Sequence, residues 1–225
     1  MKLEDALGKS GMLNVLNDLS KKLSVHGLFA LLLLSAAASA YSAPKTVLVL
    51  GDSLSAEYGL ARGAGWVALA EKKLQDQKMD TTVVNASVSG ETTSGGRSRL
   101  PALLQKYKPA LVVIELGAND GLRGLPVAAA RANLLAMADA AAKADAKVML
   151  IGMRMPPNYG RDYADKFFAM YGTLSKEIKA PLVPFMLDGV ADKQFQADRL
   201  HPLAEAHPTI LANIWPTLQK TIKAK

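Results

Sequence analysis

Five apolar runs constrain this chain more than any other feature. Residues 46–50, 81–85, 110–116, 147–153 and 181–184 are rich in Val, Leu and Ile and lack the polar alternation of a half-exposed strand. Runs of that kind are covered on both faces, as a parallel sheet is when it lies between helices. Longer amphipathic stretches separate them, at 66–77, 93–106, 126–142, 163–178 and 203–222. Pro126 stands where proline opens a helix, and Ala dominates the interior that follows. Strand–helix repetition over residues 44–225 predicts one α/β domain, a three-layer α/β/α sandwich around a mainly parallel five-stranded sheet. Ligands bind such sheets beyond the C-terminal ends of the strands. Chemistry is therefore expected just after Leu50, Asn85, Leu116, Met153 and Pro184.

The segment before this domain reads differently. Lys21 and Lys22 precede an apolar run at 28–34, which is followed by small residues ending in Ala38-Ser39-Ala40. Basic, apolar and then Ala-x-Ala is the order of a secretory signal, and the apolar part is too short to span a bilayer. Residues 1–40 are expected to be removed after Ala40, with translation starting at Met1 or Met12, and the product to reach the periplasm or the medium. With no Cys in the chain, a lipid-modified N-terminus of the bacterial lipoprotein kind is excluded.

Composition removes further classes. Half of the 225 residues are hydrophobic, ample for a buried core. The absence of Cys rules out disulfides, thiolate metal sites and a cysteine nucleophile. Three His, one of them His26 in the leader, leave only His201 and His207 as imidazoles in the mature chain. The net charge of +7 comes from scattered Lys and Arg with no interleaved aromatics, so no nucleic-acid partner is expected. Peripheral contact with an anionic membrane is the most that this charge suggests. A monomer is expected.

Four of the five strand-end positions carry polar motifs. They are Gly51-Asp52-Ser53-Leu54, then Ser87-Val88-Ser89-Gly90-Glu91-Thr92, then Gly117-Ala118-Asn119-Asp120, and Asp198-Arg199-Leu200-His201 before the last helix. Each alone has an ordinary structural reading. A Gly-Asp-Ser turn ends a strand and caps a helix, Gly-Ala-Asn-Asp makes an Asn-stabilised turn, and Asp198 with His201 makes a surface pair. Together they supply what acyl transfer needs: a hydroxyl, a base, an orienter for the base, and oxyanion donors.

In these four motifs, in this order, the chain resembles the SGNH, or GDSL, hydrolases, a family with a flavodoxin-like fold. The resemblance implies a serine esterase and thioesterase of broad specificity, acting on aryl esters, acyl-CoA and lysophospholipids without a cofactor or a metal. It implies Ser53 as nucleophile, His201 as general base and Asp198 as the residue that orients the imidazole. It also implies an oxyanion hole made by the N–H groups of Ser53 and Gly90 and the side-chain amide of Asn119. Gly90 permits close backbone approach, and Asn119 offers an uncharged donor. Asp52 is expected to brace the nucleophile turn and Asp120 to support its own loop, while His207 reads as an ordinary helix-face histidine.

Leu54, Leu122, Leu125, Met153 and Met155 surround the expected site and suit an acyl slot, with Arg154 placed to steer an anionic group. An apolar slot discriminates weakly between neighbouring chain lengths. Two other readings are a carbohydrate O-deacetylase of the same superfamily and an inactive binding module.

Overall fold

The computed structural model describes Gly11, Leu13, Asn14, Asn17 and Asp18, which are helical, and then residues 44–224. The apolar run 28–34 and the expected cleavage site lie outside the described residues. The chain divides into two units, Met1–Ala43 and Pro44–Lys225, and the second carries the expected domain.

In that unit β1 (Lys45–Gly51), α1 (Trp66–Asp76), β2 (Thr81–Asn85), α2 (Thr93–Tyr107), β3 (Leu111–Glu115) and a short α3 (Ala118–Leu122) come first. They are followed by α4 (Val127–Lys143), β4 (Lys147–Ile151), α5 (Arg161–Glu177), β5 (Leu182–Val183) and α6 (His207–Lys223). The strands pair in the order β2-β1-β3-β4-β5, every pair parallel. This doubly wound order places α1 against α6, while α2, α4 and α5 pack in series. Right-handed crossovers produce that division, because the chain winds outward from β1 in both directions.

The central strands behave as their composition requires. All five residues of β3 are buried, and Leu48, Leu50, Ile114 and Met149 are at most 1% exposed. The edges depart from the expectation of full coverage. β2 has a neighbour on one side only and leaves every residue at least partly accessible. β5 shrinks to Leu182–Val183 because Pro181 and Pro184 lack the N–H groups that would extend it.

Helix ends move by a few residues. Pro126 caps α4 rather than opening it. The last helix starts at His207 instead of 203, preceded by the 3-10 turn Ala204–Ala206, with Pro208 in its first turn. This corrects the reading of His207. Its side chain does not sit on an open helix face: the residue is 2% exposed, and its Nδ1 accepts the backbone N–H of Trp66 at 3.0 Å. His207 thereby satisfies a free donor in the first turn of α1, where the cap residue Gly65 offers no side chain.

Burial holds the His207 imidazole below its ordinary 6.5. The unfolded chain therefore binds this proton more readily than the folded one, and the stabilisation is present above about pH 6.5 and lost as pH falls below it. His207→Ala should destabilise the protein by about 1–3 kcal/mol by orphaning the Trp66 N–H. Thermal melts between about pH 5 and pH 8 should show a shallower acid-side decline in the variant than in the wild type.

Candidate active site

The end of β1 is shaped by crowding. A Cβ at Gly51 would lie 2.7 Å from Glu115 Oε2 and 2.8 Å from Ser55 Oγ, so glycine is needed where the chain turns. Past it, Asp52 Oδ1 accepts the N–H of Leu54 at 3.0 Å and closes the turn around Ser53. Beneath the turn, Glu115 Oε2 accepts the Ser55 hydroxyl at 2.7 Å and the Asp52 N–H at 3.3 Å. Ser55 Oγ accepts the Trp66 indole N–H at 3.1 Å. Glu115 is 2% exposed, and burial, reinforced by the neighbouring Asp52, pushes its carboxyl well above the usual range. Sequence patterning does not single out this group because it lies within the apolar run 110–116; the available signal is a carboxylate inside a run that must be covered.

Ser53 Oγ lies 2.8 Å from His201 Nε2, and His201 Nδ1 lies 2.7 Å from Asp198 Oδ2. The other carboxylate oxygen of Asp198 accepts the N–H groups of Leu200 at 2.9 Å and His201 at 3.0 Å, with Arg199 at φ 57° between Asp198 and Leu200. This Asx-type turn lets two residues three apart face each other without a strand. The same bonds, that from the His201 N–H first, hold the Asp198 carboxyl down at about 2. The loop is pinned by the Gln196 N–H, which donates to the His201 carbonyl at 2.8 Å, and by the Tyr58 ring, 4.4 Å from the imidazole. Such an arrangement can deprotonate a hydroxyl and stabilise the imidazolium that results.

The third motif forms the helix α3, not a plain turn. Asn119 Nδ2 donates to the Glu91 carbonyl at 2.9 Å and to Asp52 Oδ2 at 3.2 Å, so both amide hydrogens are engaged. Burial raises Asp52 to about 6, above its ordinary 3.8. Asp120 supports its segment through an anchor distant in sequence. It accepts the Thr93 N–H at 2.8 Å and the Thr93 hydroxyl at 2.6 Å, tying α3 to the start of α2.

Leu54, Leu122, Met153, Arg154 and Met155 line one cavity of about 350 Å³ together with Ser53, Asn119 and His201. Phe185, Leu187 and Phe195 complete its apolar wall and were not anticipated, although two of them follow the fifth strand. Gly90 and Leu125 are outside this lining. Gly90, at φ 77°, lies between two anchored neighbours: the Val88 N–H bonds Gly51 O, and Glu91 O receives Asn119. Leu125 is turned outward because its N–H closes onto Asp120 O at 2.9 Å at the end of α3. The Arg154 guanidinium stacks 4.4 Å from the Phe168 ring and 5.2 Å from the Phe185 ring. A larger groove of about 1160 Å³ lies at the opposite end of β4 and β5, but neither Ser nor His lines it.

A doubly wound parallel sheet with a serine, a histidine and an aspartate hydrogen-bonded in series at its strand ends is the layout of a serine hydrolase. The chain belongs to the GDSL-like lipase/acylhydrolase family, whose model matches residues 49–208. It is 50% identical over 201 residues to esterase TesA of Pseudomonas aeruginosa, covering 88% of this chain and 98% of that one. It is 43% identical over 185 residues to thioesterase 1/protease 1/lysophospholipase L1 of Escherichia coli, covering 81% and 86%. A crystal structure of TesA superposes with a TM-score of 0.77 at 51% identity, covering 79% of this chain and 99% of that one. The protein is a hydrolase that acts on acyl ester bonds.

Asp52→Asn retains shape but sets an amide where Asn119 now finds an acceptor. kcat should fall about tenfold or more with KM little changed, as steady-state kinetics would report. Stability should separate the charge effect. Asp52 protonates at about 6 in the fold against 3.8, so the folded protein holds this proton more tightly, and ionisation destabilises the wild type as pH rises through that window. The Tm of the variant relative to the wild type should therefore rise between about pH 4 and pH 7.

Proposed function

We propose that the protein is a broad-specificity serine esterase and thioesterase in which Ser53, His201 and Asp198 act as one unit. The observation that carries this is the unbroken series Ser53 Oγ–His201 Nε2 and His201 Nδ1–Asp198 Oδ2, at 2.8 and 2.7 Å. His201 takes the Ser53 proton as Oγ attacks the acyl carbonyl carbon, and Asp198 keeps the ring in the tautomer that presents Nε2 as acceptor. The imidazolium then protonates the departing alcohol or thiol. Water repeats the sequence on the acyl-serine, and the carboxylic acid leaves.

The oxyanion is received by the N–H groups of Ser53 and Gly90, neither of which has an acceptor among the described residues, and by Asn119. Asn119 must share a hydrogen to do so, and the longer bond, that to Asp52, is the one exchanged. The cavity beside Ser53 is mainly apolar, which supports acyl chains rather than the acetylated sugars of a deacetylase. Each buried methylene adds about 0.8 kcal/mol, too little to distinguish sharply between neighbouring lengths. Aryl esters, acyl-CoA and lysophospholipids are the substrates proposed; the names of the two relatives support ester, thioester and lysophospholipid hydrolysis. No oxyanion or acyl step here calls for a metal.

Ser53→Ala, His201→Ala and the double variant should lose nearly the same activity on a p-nitrophenyl ester, because members of one unit are not additive. His207→Ala should keep most of its turnover per folded molecule. Loss in His207→Ala with retention in His201→Ala would overturn the assignment. Fluorophosphonate should label the wild type at Ser53 and leave Ser53→Ala unlabelled.

Export with cleavage after Ala40 belongs to the same proposal, supported by the basic, apolar and Ala-x-Ala order of residues 21–40. N-terminal sequencing of protein released from the periplasm should begin at Tyr41; an intact Met1 or Met12 would refute it.

A further inference from the structure

We propose that the rim of the active-site mouth is a docking face for an anionic phospholipid surface. The inference rests on the ester-hydrolase reading and states where such an enzyme meets its substrate. Among the described residues, large apolar side chains are exposed at Leu13, Tyr58, Val88, Leu125 and Leu200. Leu13 belongs to the other unit; the remaining four, 39–50% exposed, all lie on loops that follow the C-terminal ends of strands. Within the unit Pro44–Lys225, the described helix flanks and the opposite end of the sheet carry none.

Each of the four is tied to the site. The Tyr58 ring lies 4.4 Å from that of His201, and Leu200 lines the cavity. The Val88 N–H bonds the carbonyl of Gly51 at 3.0 Å, next to the nucleophile turn, and the Leu125 N–H bonds that of Asp120 at 2.9 Å. Core packing does not account for their outward placement, and substrate contact inside the cavity accounts for Leu200 alone.

Charge selects the occupant. Arg123, Arg154 and Arg199 are exposed on the same loops, and none forms an ion pair among the described residues. Glu57 is engaged by the N–H groups of Gly63 and Gly65, Glu91 by Arg99 and Asp198 by His201, while the exposed Asp188, Asp192 and Glu205 of the β5–α6 connection stand outside the cavity lining to which Arg154 and Arg199 belong. Apolar tips among unpaired cations match the boundary between acyl chains and anionic headgroups, where the tips insert and the cations bind lipid charge. Docking in this orientation opens the cavity onto the acyl phase.

The chain has no cysteine, so one introduced thiol carries a single environment-sensitive nitrobenzoxadiazole probe. Val88→Cys and Leu125→Cys report from the rim, and Lys143→Cys, at the far end of α4, serves as control. With phosphatidylglycerol vesicles, the two rim probes should brighten severalfold and shift to the blue while the control stays unchanged. Phosphatidylcholine vesicles should leave all three unchanged, and about 0.5 M NaCl should reverse the signal. A silent rim, an equal response at 143, or an equal response to phosphatidylcholine overturns the proposal. So does a rim signal obtained only with soluble envelope proteins, which would assign the face to a protein partner. The wild type is assayed in parallel on a soluble short-chain ester. That assay reads the esterase activity separately: absence of hydrolysis in the wild type would sink the enzymatic reading, whatever the vesicles report.

Discussion

The buried carboxyl of Glu115 holds the turn on which the proposed nucleophile sits. It stands directly opposite Gly51 in the β1–β3 register, so the two strand ends present a carboxyl and a space beside each other. An ionised carboxylate there would lack a cation and would be costly to bury. Burial, with Asp52 beside it, pushes this carboxyl well above the usual range, and its Oε2 accepts the Asp52 N–H and the Ser55 hydroxyl. Ser55 passes the connection to the Trp66 indole, and the Trp66 backbone is held in turn by His207. One polar network thus links β3, the nucleophile turn, α1 and α6. Buried networks of this kind rigidify when every member is satisfied.

The two aspartates beside Ser53 show how position divides the work of one chemical group. Asp198 stands at an accessible rim with three N–H donors around its carboxylate, and these hold it ionised far into the acid range. Asp52 is buried, and loss of water raises it towards neutral pH despite its bonds to Leu54 and Asn119. The first suits a group that must stay anionic beside a protonating imidazole. The second makes the anchoring of the Asn119 amide sensitive to protonation, because a neutral carboxyl is a poorer acceptor.

Much of the site was legible because its parts are local. The Asp198–His201 spacing is short enough for a turn to bring the side chains together, and the other three motifs follow the ends of β1, β2 and β3, where parallel sheets expose ligand sites. What was not legible depends on partners distant in sequence. Thr93 and Asp120 are 27 residues apart, and Trp66 and His207 are 141 apart. Nothing in either local sequence indicates the other. Glu115 was absorbed into an apolar run, and α3 is too short for periodicity to declare it.

The sequence by itself determined the fold class, the strand and helix positions to within a few residues, and the loops that bear polar motifs. Those follow from periodicity and turn chemistry, which act over a few residues. Only the tertiary structure decided which strand became an edge, since the apolar run at 81–85 looks like a central one until the order β2-β1-β3-β4-β5 places it outermost. It also decided that Ser53 and His201, 148 residues apart, meet at 2.8 Å, and that the Asn119 amide is shared between Asp52 and Glu91. A hydrogen bond depends on tenths of an ångström, and only the packed sheet and its helices set distances that finely.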